Sequence, residues 1–237
     1  AQTRPATGDI AANIDNHKKL NDVALSHGAG LVVFPELSLT GYEPELAGEL
    51  ATHPDDHRLD IFQDICDAEK IIIGVGMPTK SETLPRISTI FFQAGKARQT
   101  HAKKYLHSDE EPFFCSGDSP PHIRAGKNNI ALAICYELSV PQHAEHAAKN
   151  GADIYVASAA KDARGTESAC NRLAEIARQY SMIVLLANCI GPSGGYQCAG
   201  GSAIWSEEGA LLKRLGDSEA GVLTIDSETR VTSAEAI

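Results

Sequence analysis

The sequence predicts an α/β fold in which buried strands alternate with amphipathic helices. Short apolar runs rich in Val and Ile recur along the chain, which is typical of buried strands. Segments with apolar residues at helical spacing lie between several of these runs, and Gly, Pro and Asp mark the boundaries. The chain has 237 residues, a length that α/β folds often reach as one domain. We therefore expect a single domain over residues 1–237.

The individual elements follow from the same patterns. Apolar residues at positions 10, 14, 20 and 23 predict a helix over residues 9–29, with Asp9 as its N-cap. Predicted strands cover 31–34, 71–75, 130–134, 153–160 and 182–189, predicted helices 59–69, 141–150 and 166–180, and predicted hairpins 86–104 and 202–214. Residues 191–201 carry five glycines, which could cradle an anion, but a mobile loop is the expectation. The polar residues from about 227 are expected to form a loose tail or an interface arm.

One cysteine, Cys135, directly follows a predicted buried strand. A thiol at a strand end can be held rigidly and still face a cleft, as a nucleophile must. Most unpaired cysteines, however, are simply buried as small apolar side chains. Position alone therefore favours a core role for Cys135, and two other segments change that balance.

These two segments place charged residues beside predicted strands. Glu36 follows the first strand, where a carboxylate could act as a general base or simply cap a turn. Lys103 and Lys104 end a predicted hairpin, and the acidic pair Glu110 and Glu111 follows. Aromatic residues come next, which is unusual for a merely solvated loop. The chain thus offers a thiol, a carboxylate and an ammonium group at strand ends.

Taken in order, these motifs resemble those of the carbon–nitrogen hydrolase family, also called the nitrilase superfamily. The matching segments are Phe34-Pro35-Glu36 with Gly41-Tyr42, Lys103-Lys104-Tyr105-Leu106, Ile134-Cys135-Tyr136-Glu137, Asn171-Arg172-Leu173-Ala174 with Ala177-Arg178, Ala187-Asn188, and Gly200-Gly201-Ser202-Ala203-Ile204. The resemblance covers nearly the whole chain. It implies the family's four-layer αββα sandwich, a homodimer or higher homo-oligomer, and a first strand that leads into Gln2 and looks truncated here.

The resemblance also implies a catalytic triad of Glu36, Lys103 and Cys135. Cys135 would attack the substrate carbon, Glu36 would transfer protons, and Lys103 with the backbone N–H of Tyr136 would stabilise the oxyanion. The family's Lys is followed by one variable residue, then His or Tyr, then Leu, which selects Lys103 over its neighbour. Since side chains alternate along a strand, Lys104 should then point away.

A second glutamate of the family lies beyond the Lys and would orient it or the substrate. The separation fits Glu111 better than Glu110, although the residues alone do not distinguish these neighbours. We therefore expect Glu111 to support the triad.

The predicted reaction is hydrolysis of a small carboxamide to a carboxylate and ammonia through a thioester. Tyr42, Tyr136, Ala160 and Lys161 are the expected pocket residues, and Lys161 either binds a substrate carboxylate or is simply solvated. Tyr136 stands where many true nitrilases carry Trp, which favours an amide over a nitrile. Nitrile or N-carbamoyl hydrolysis and acyl transfer remain alternatives, as does a non-catalytic binding module on the same scaffold.

Composition narrows the remaining possibilities. A net charge of −10 argues against a basic nucleic-acid-binding surface. No apolar run approaches the length that spans a bilayer and no signal region is visible, so we expect a cytoplasmic protein without a membrane partner. The six cysteines show no disulfide or zinc pattern, and His143 and His146 lack further ligands nearby. Neither a metal nor a cofactor is therefore expected.

Overall fold

The computed structural model describes residues 1–118 and 122–237. Its helices are α1 (Ile10–Ser26), α2 (Ala47–Leu50), α3 (Asp60–Glu69), α4 (Pro141–Lys149) and α5 (Ala163–Tyr180). Its strands are β1 (Leu31–Val33), β2 (Ile72–Thr79), β3 (Arg86–Gln93), β4 (Gln99–Ala102), β5 (Ile123–Ala125), β6 (Asn128–Ile134), β7 (Ile154–Ala159), β8 (Ile183–Asn188), β9 (Ile190–Ser193), β10 (Tyr196–Ala199), β11 (Ala203–Trp205), β12 (Leu211–Arg214), β13 (Gly221–Ile225) and β14 (Thr232–Ala236). Short 3₁₀ helices cover Pro44–Leu46, His57–Leu59 and Cys135–Ser139. The predicted helices, central strands and hairpins are confirmed, with small shifts at their ends.

Two sheets organise the fold. The first has the order β1-β2-β3-β4, and the second has the order β12-β11-β8-β7-β6-β5. In the second sheet β6, β7 and β8 are parallel, with Ile134 beside Ser158 and Ser158 beside Ala187. Their carboxyl ends therefore lie at one edge, and the residues that follow them are brought together there. Ligand sites in α/β sheets occur preferentially at such an edge.

The layers are helix, sheet, sheet, helix. The contact between the sheets is apolar and includes Val33, Ile72 and Phe91 from the first and Leu132, Val156 and Ile183 from the second. Helices α1 and α3 cover the outer face of the first sheet, and α4 and α5 cover that of the second. The four-layer αββα sandwich is therefore confirmed.

The structure corrects the loop predicted for residues 191–201 and the loose tail predicted from about 227, and the alternative of an interface arm stays a prediction. The glycine-rich segment forms a hairpin in which β9 and β10 pair around Gly194 and Gly195, both at positive φ. A Gly-Gly pair supplies the positive φ values that a two-residue hairpin turn requires. The residues after 227 are not a loose tail, because β14 pairs with β13 from Gly221–Ala236 to Ile225–Thr232. Backbone hydrogen bonds order this segment even though most of its side chains are exposed.

The residues before α1 form bridges and no strand of their own. Gln2 bridges Gly221, and Thr3 bridges Cys189. The strand that the resemblance places ahead of Gln2 therefore stays a prediction. Within residues 1–118 and 122–237, no helix has the length and hydropathy needed to cross a membrane.

Candidate active site

Glu36 lies in a tight turn directly after β1. Ser38 N–H donates to the Pro35 carbonyl at 3.2 Å, and Leu37 adopts a left-handed φ of 49° that non-glycine residues rarely use. The backbone of Gly76 packs against this turn, so that a Cβ there would lie 2.3 Å from the Pro35 oxygen. Glu36 is buried as a result, with 1% of its surface exposed. The turn is thus held by the close approach of β2.

A buried histidine supports the same turn. The ring of His17 stacks on Phe34 with 4.0 Å between ring centroids, and its Nδ1 donates to the Asn13 carbonyl at 2.6 Å. Nε2 therefore accepts from Ser38 Oγ at 2.9 Å, and Ser38 Oγ accepts from Gly76 N–H at 3.2 Å. Burial lowers the pKa of His17 to about 3. A neutral imidazole is therefore part of the structure that holds Glu36.

Lys103 is the first residue after β4 and is completely buried. Its Nζ donates to Glu36 Oε1 at 2.8 Å and to Glu110 Oε1 at 2.6 Å. Burial acts to lower the pKa of Lys103, but the charges of Glu36, Cys135 and Glu110 outweigh it and raise the pKa. The ammonium group therefore stays charged and keeps one of its three donors for a substrate. Lys104 is exposed, as the alternation of side chains predicts.

The structure corrects the second glutamate from Glu111 to Glu110. Glu111 is exposed, whereas Glu110 is 2% exposed and accepts from Lys103, from the Tyr42 hydroxyl at 3.0 Å and from His107 N–H at 2.8 Å. The reason is a turn, closed by Glu110 N–H donating to the His107 carbonyl at 2.9 Å. The chain reverses direction at this turn, so that the side chain of residue 110 points toward Lys103. The number of residues between the lysine and the glutamate does not reveal this reversal.

Cys135 lies at the junction of β6 and a 3₁₀ helix and is half-buried. Its φ of 47° is left-handed, a strained conformation for a non-glycine residue that is found most often at functional sites. Burial raises the pKa of the thiol, the Glu36 charge raises it further, and Lys161 and Lys103 oppose this. The thiol is therefore protonated at neutral pH until a base removes its proton.

Glu36 has a carboxylate oxygen available to be that base. Its Oε1 is held by Lys103, while Oε2 is buried and has no partner with full hydrogen-bond geometry among the described residues. The nearby Cys135 thiol lowers the pKa of Glu36, and so does Lys103, but burial dominates and raises it. A carboxylate with a raised pKa is a better proton acceptor than one in water. The structure thus brings Glu36, Lys103 and Cys135 together.

The four predicted pocket residues differ in burial and in their contacts. Ala160 is buried and Lys161 half-buried after β7, at the strand ends beside Cys135. Tyr42 is half-buried and donates to the second glutamate. The Tyr136 side chain is 36% exposed and contacts His107 edge-on at 5.2 Å between ring centroids. Its aromatic ring therefore lies at the surface, while its backbone N–H begins the 3₁₀ helix, where such groups lack helical partners.

Three residues that the sequence analysis did not assign also shape this region. Tyr196 donates from its hydroxyl to the Ala160 carbonyl at 2.8 Å and lies 6.0 Å from the Tyr42 ring. Asn188 Oδ1 accepts from Lys161 N–H at 2.9 Å and is fully buried. Glu137 is buried behind Cys135. The Gly-Gly hairpin signal could have located Tyr196. Asn188 and Glu137 stand in segments that resemble the family, but the sequence did not indicate their contacts.

No group of three or more His, Cys, Asp and Glu side chains in the described part of the chain is placed to hold a metal ion. The fold and the site together define an α/β protein with a thiol, a carboxylate and an ammonium group at its sheet edges. The family model for carbon–nitrogen hydrolases matches residues 1–234. The chain therefore belongs to the carbon–nitrogen hydrolase family, and it is an enzyme of that class.

The individual relatives share only about a quarter of their residues with this chain. The chain is 26% identical to a glutamine-dependent NAD(+) synthetase of Aquifex aeolicus over 95% of its own length, but it spans only 41% of that protein. It is 25% identical to a probable nitrilase of Schizosaccharomyces pombe, over 94% of this chain and 85% of that one. An amidase from Nesterenkonia sp. shares the fold with a TM-score of 0.81 at 23% identity, over 92% of this chain and 84% of that chain.

Proposed function

We propose that this protein hydrolyses a small carboxamide to a carboxylate and ammonia, with Cys135 as the nucleophile. One observation carries the proposal. One oxygen of the buried Glu36 carboxylate accepts a hydrogen bond from Lys103. The other oxygen has no partner with full hydrogen-bond geometry among the described residues, and the protonated thiol of Cys135 lies nearby. A nucleophile, a base and a fixed cation in one place are what acyl transfer requires.

The first half of the reaction forms a thioester. Glu36 takes the thiol proton as the sulfur of Cys135 attacks the amide carbon. The oxyanion that forms accepts hydrogen bonds from the remaining donor of Lys103 and from the backbone N–H of Tyr136. The carbon–nitrogen bond then breaks, and Glu36 returns its proton to the leaving nitrogen, which departs as ammonia.

The second half hydrolyses the thioester. Water enters the place that ammonia has left, and Glu36 takes one of its protons as the oxygen attacks the thioester carbon. The carbon–sulfur bond breaks, and the proton returns to the sulfur, which restores the thiol. Glu110 keeps its hydrogen bond to Lys103 throughout and so holds the ammonium in place.

The names of several relatives support a carbon–nitrogen substrate. Besides the synthetase, the nitrilase and the structurally similar amidase, the chain is 26% identical to an omega-amidase of Arabidopsis thaliana, over 62% of this chain and 44% of that protein. Both nitrilases and amidases occur among these relatives, so the names support cleavage at a carbon–nitrogen bond for either substrate, amide or nitrile. The exposed Tyr136 ring does not bear on that choice, because it lies outside the buried part of the site.

Lys161 supports a substrate that carries a carboxylate. No ion pair or hydrogen bond from its Nζ to a described residue is present, and its charge acts on the Cys135 thiol. Glu36 and Glu110 place two negative charges against the single charge of Lys103, so that without Lys161 the pocket would repel an anion. We infer that Lys161 offsets this repulsion and binds the substrate carboxylate.

The test is ammonia release from small carboxamides, ω-amides of dicarboxylic acids, N-carbamoyl compounds and nitriles. Wild type should release ammonia from an amide, Cys135→Ala should not, and Cys170→Ala, which removes a half-buried thiol from α5, should retain activity. Equal turnover by Cys135→Ala, or no turnover of any compound by the wild type, would refute the proposal. Product analysis with an added amine separates hydrolysis from acyl transfer.

Lys161→Ala tests the carboxylate separately. With an ω-amide the KM should rise about 10-fold or more, which is the loss of a charge-assisted hydrogen bond of about 1.5–3 kcal/mol. With a neutral amide of similar size the KM should stay unchanged. An equal rise for both substrates would mean that Lys161 supports the pocket and does not recognise the carboxylate.

A further inference from the structure

A buried carboxylate behind the nucleophile joins two parts of the site. Glu137 lies in the 3₁₀ helix that begins at Cys135, and only 1% of its surface is exposed. Its Oε2 accepts from Ile134 N–H at 2.8 Å. Its Oε1 accepts from Lys104 N–H at 2.7 Å and from Tyr105 N–H at 3.3 Å. One side chain thus bonds the backbone of two segments that are far apart in the sequence.

The positions of these bonds matter because each lies one residue from the chemistry. Ile134 directly precedes Cys135, and Lys104 directly follows Lys103. We propose that Glu137 is a positioning residue that sets the separation of the Cys135 thiol and the Lys103 ammonium by bonding the backbone beside each of them. The proposal rests on the proposed function, since it concerns the geometry of the same reaction.

The surroundings of Glu137 fit this role. His101 Nε2 lies 3.7 Å and His143 Nε2 lies 3.6 Å from Oε2, and His143 Nδ1 lies 2.9 Å from the Tyr155 hydroxyl. Burial acts to raise the pKa of Glu137, but the interactions with His101, His143 and the backbone outweigh it and lower the pKa to about 2. The group is therefore ionised at neutral pH and accepts hydrogen bonds on both oxygens.

An amide cannot replace this carboxylate. A glutamine at position 137 has one accepting oxygen and one donating nitrogen. Its oxygen can accept from one of the two backbone segments, but its NH₂ group would then face the backbone N–H of the other, and two donors cannot form a hydrogen bond. That segment must shift or lose its partner. A displacement of about 1 Å at a reacting group costs on the order of 100-fold in rate. An aspartate keeps both accepting oxygens on a shorter arm and should restore part of the loss.

The experiment compares Glu137→Gln and Glu137→Asp with a matched control. Asp153→Asn makes the same chemical change at the other end of β6, where Asp153 Oδ2 accepts from Asn129 N–H at 2.7 Å. For each variant we would measure kcat and KM on the best amide, the melting temperature, and the rate at which iodoacetamide alkylates Cys135, followed by mass spectrometry of its peptide. Alkylation reports on the thiol without a substrate.

We expect Glu137→Gln to lower kcat by about 100-fold with little change in KM, and to slow alkylation of Cys135 because the ammonium no longer lies close enough to favour the thiolate. Glu137→Asp should lie between Gln and wild type, and Asp153→Asn should match wild type in both readouts. Wild-type kcat and alkylation in a folded Glu137→Gln protein would overturn the proposal, as would equal losses in Asp153→Asn. If wild type turns over no amide, the proposed function fails, yet the alkylation rates still decide the role of Glu137.

Discussion

The two neighbouring glutamates after Lys103 offer a sharp test of the site. Glu110 binds the buried ammonium, the Tyr42 hydroxyl and the His107 backbone, whereas Glu111 faces solvent. Glu110→Gln removes a charge from a fully buried ion pair, and Glu111→Gln removes the same charge one residue away. Any general effect of a lost negative charge in this loop would appear in both variants.

The size of the effect follows from the contacts of Glu110. Hydrogen bonds between charged groups are about twice as strong as neutral ones, so the bond to Lys103 should weaken by about 1–2 kcal/mol. The glutamine can keep that bond only by turning its NH₂ group toward His107 N–H, which leaves a buried donor unpaired at about 1–3 kcal/mol. We therefore expect Glu110→Gln to lower the free energy of unfolding by about 3 kcal/mol and the Tm by roughly 6–12 °C.

Activity should fall more than stability alone explains. With the bond to residue 110 weakened, Lys103 can move toward Glu36, and a shift of about 1 Å at the oxyanion donor should lower kcat by roughly 100-fold. Glu111→Gln should change the free energy of unfolding by less than about 0.5 kcal/mol and leave kcat at the wild-type value. Thermal unfolding and ammonia release at a temperature where both variants are folded provide the measurements. Equal losses in the two variants, or full activity in Glu110→Gln, would refute this reading of the site.

The other predictions concern backbone fit, pH and thiol chemistry. Gly76→Ala should lower the free energy of unfolding by about 1–3 kcal/mol and abolish activity, since its Cβ meets backbone atoms of the catalytic turn, while Gly30→Ala, which meets nothing within 4 Å, should do neither. Because burial lowers the pKa of His17 to about 3, the unfolded chain binds a proton there below pH about 6.5 while the folded chain does not, so about 3 kcal/mol of stability should be lost between pH 7 and pH 4. Urea unfolding of His17→Gln at the two pH values should show a smaller difference than wild type, and an equal difference would contradict this. Lys161→Ala should move the pH profile of Cys135 alkylation to higher pH, because a positive charge near the thiol is lost; an unchanged profile would show that the charge acts too weakly to matter.

Much of the fold could be predicted because its signals are local. Runs such as 130–134 and 154–157 are apolar throughout, as is typical of parallel strands covered on both faces, and α5 keeps its apolar residues on one face. The layer order was not a local signal and came only from resemblance to a family. The hairpin of β9 and β10 was not predicted although Gly194 and Gly195 form its turn, because several glycines in one segment are typical of mobile loops as well as of tight turns.

The site was predictable in part for a different reason. Cys135 and Glu36 follow apolar strands, so position and residue type together indicated them, whereas Lys103 was distinguished from Lys104 by the family's sequence pattern. Glu110 could not be distinguished from Glu111, because the deciding fact is the direction in which a turn folds back. Glu137 stands in a segment that resembles the family, but its role was not predicted, because its partners are backbone N–H groups, which every residue except proline has.

The residues that resist prediction are those whose conformation is set by the rest of the fold. Leu37 and Cys135 both adopt a left-handed φ, which costs free energy in an isolated chain. Leu37 directly follows Glu36, and Cys135 is itself the proposed nucleophile. The approach of Gly76 and the Ser38–His17 contact hold the first turn, and the carboxylate of Glu137 bonds the residue before the second. Strain of this kind persists only where packing and buried hydrogen bonds overdetermine the backbone. Replacing a group that supports one of these turns should therefore let the strained backbone relax. The variant should lose catalytic activity while the protein is still folded.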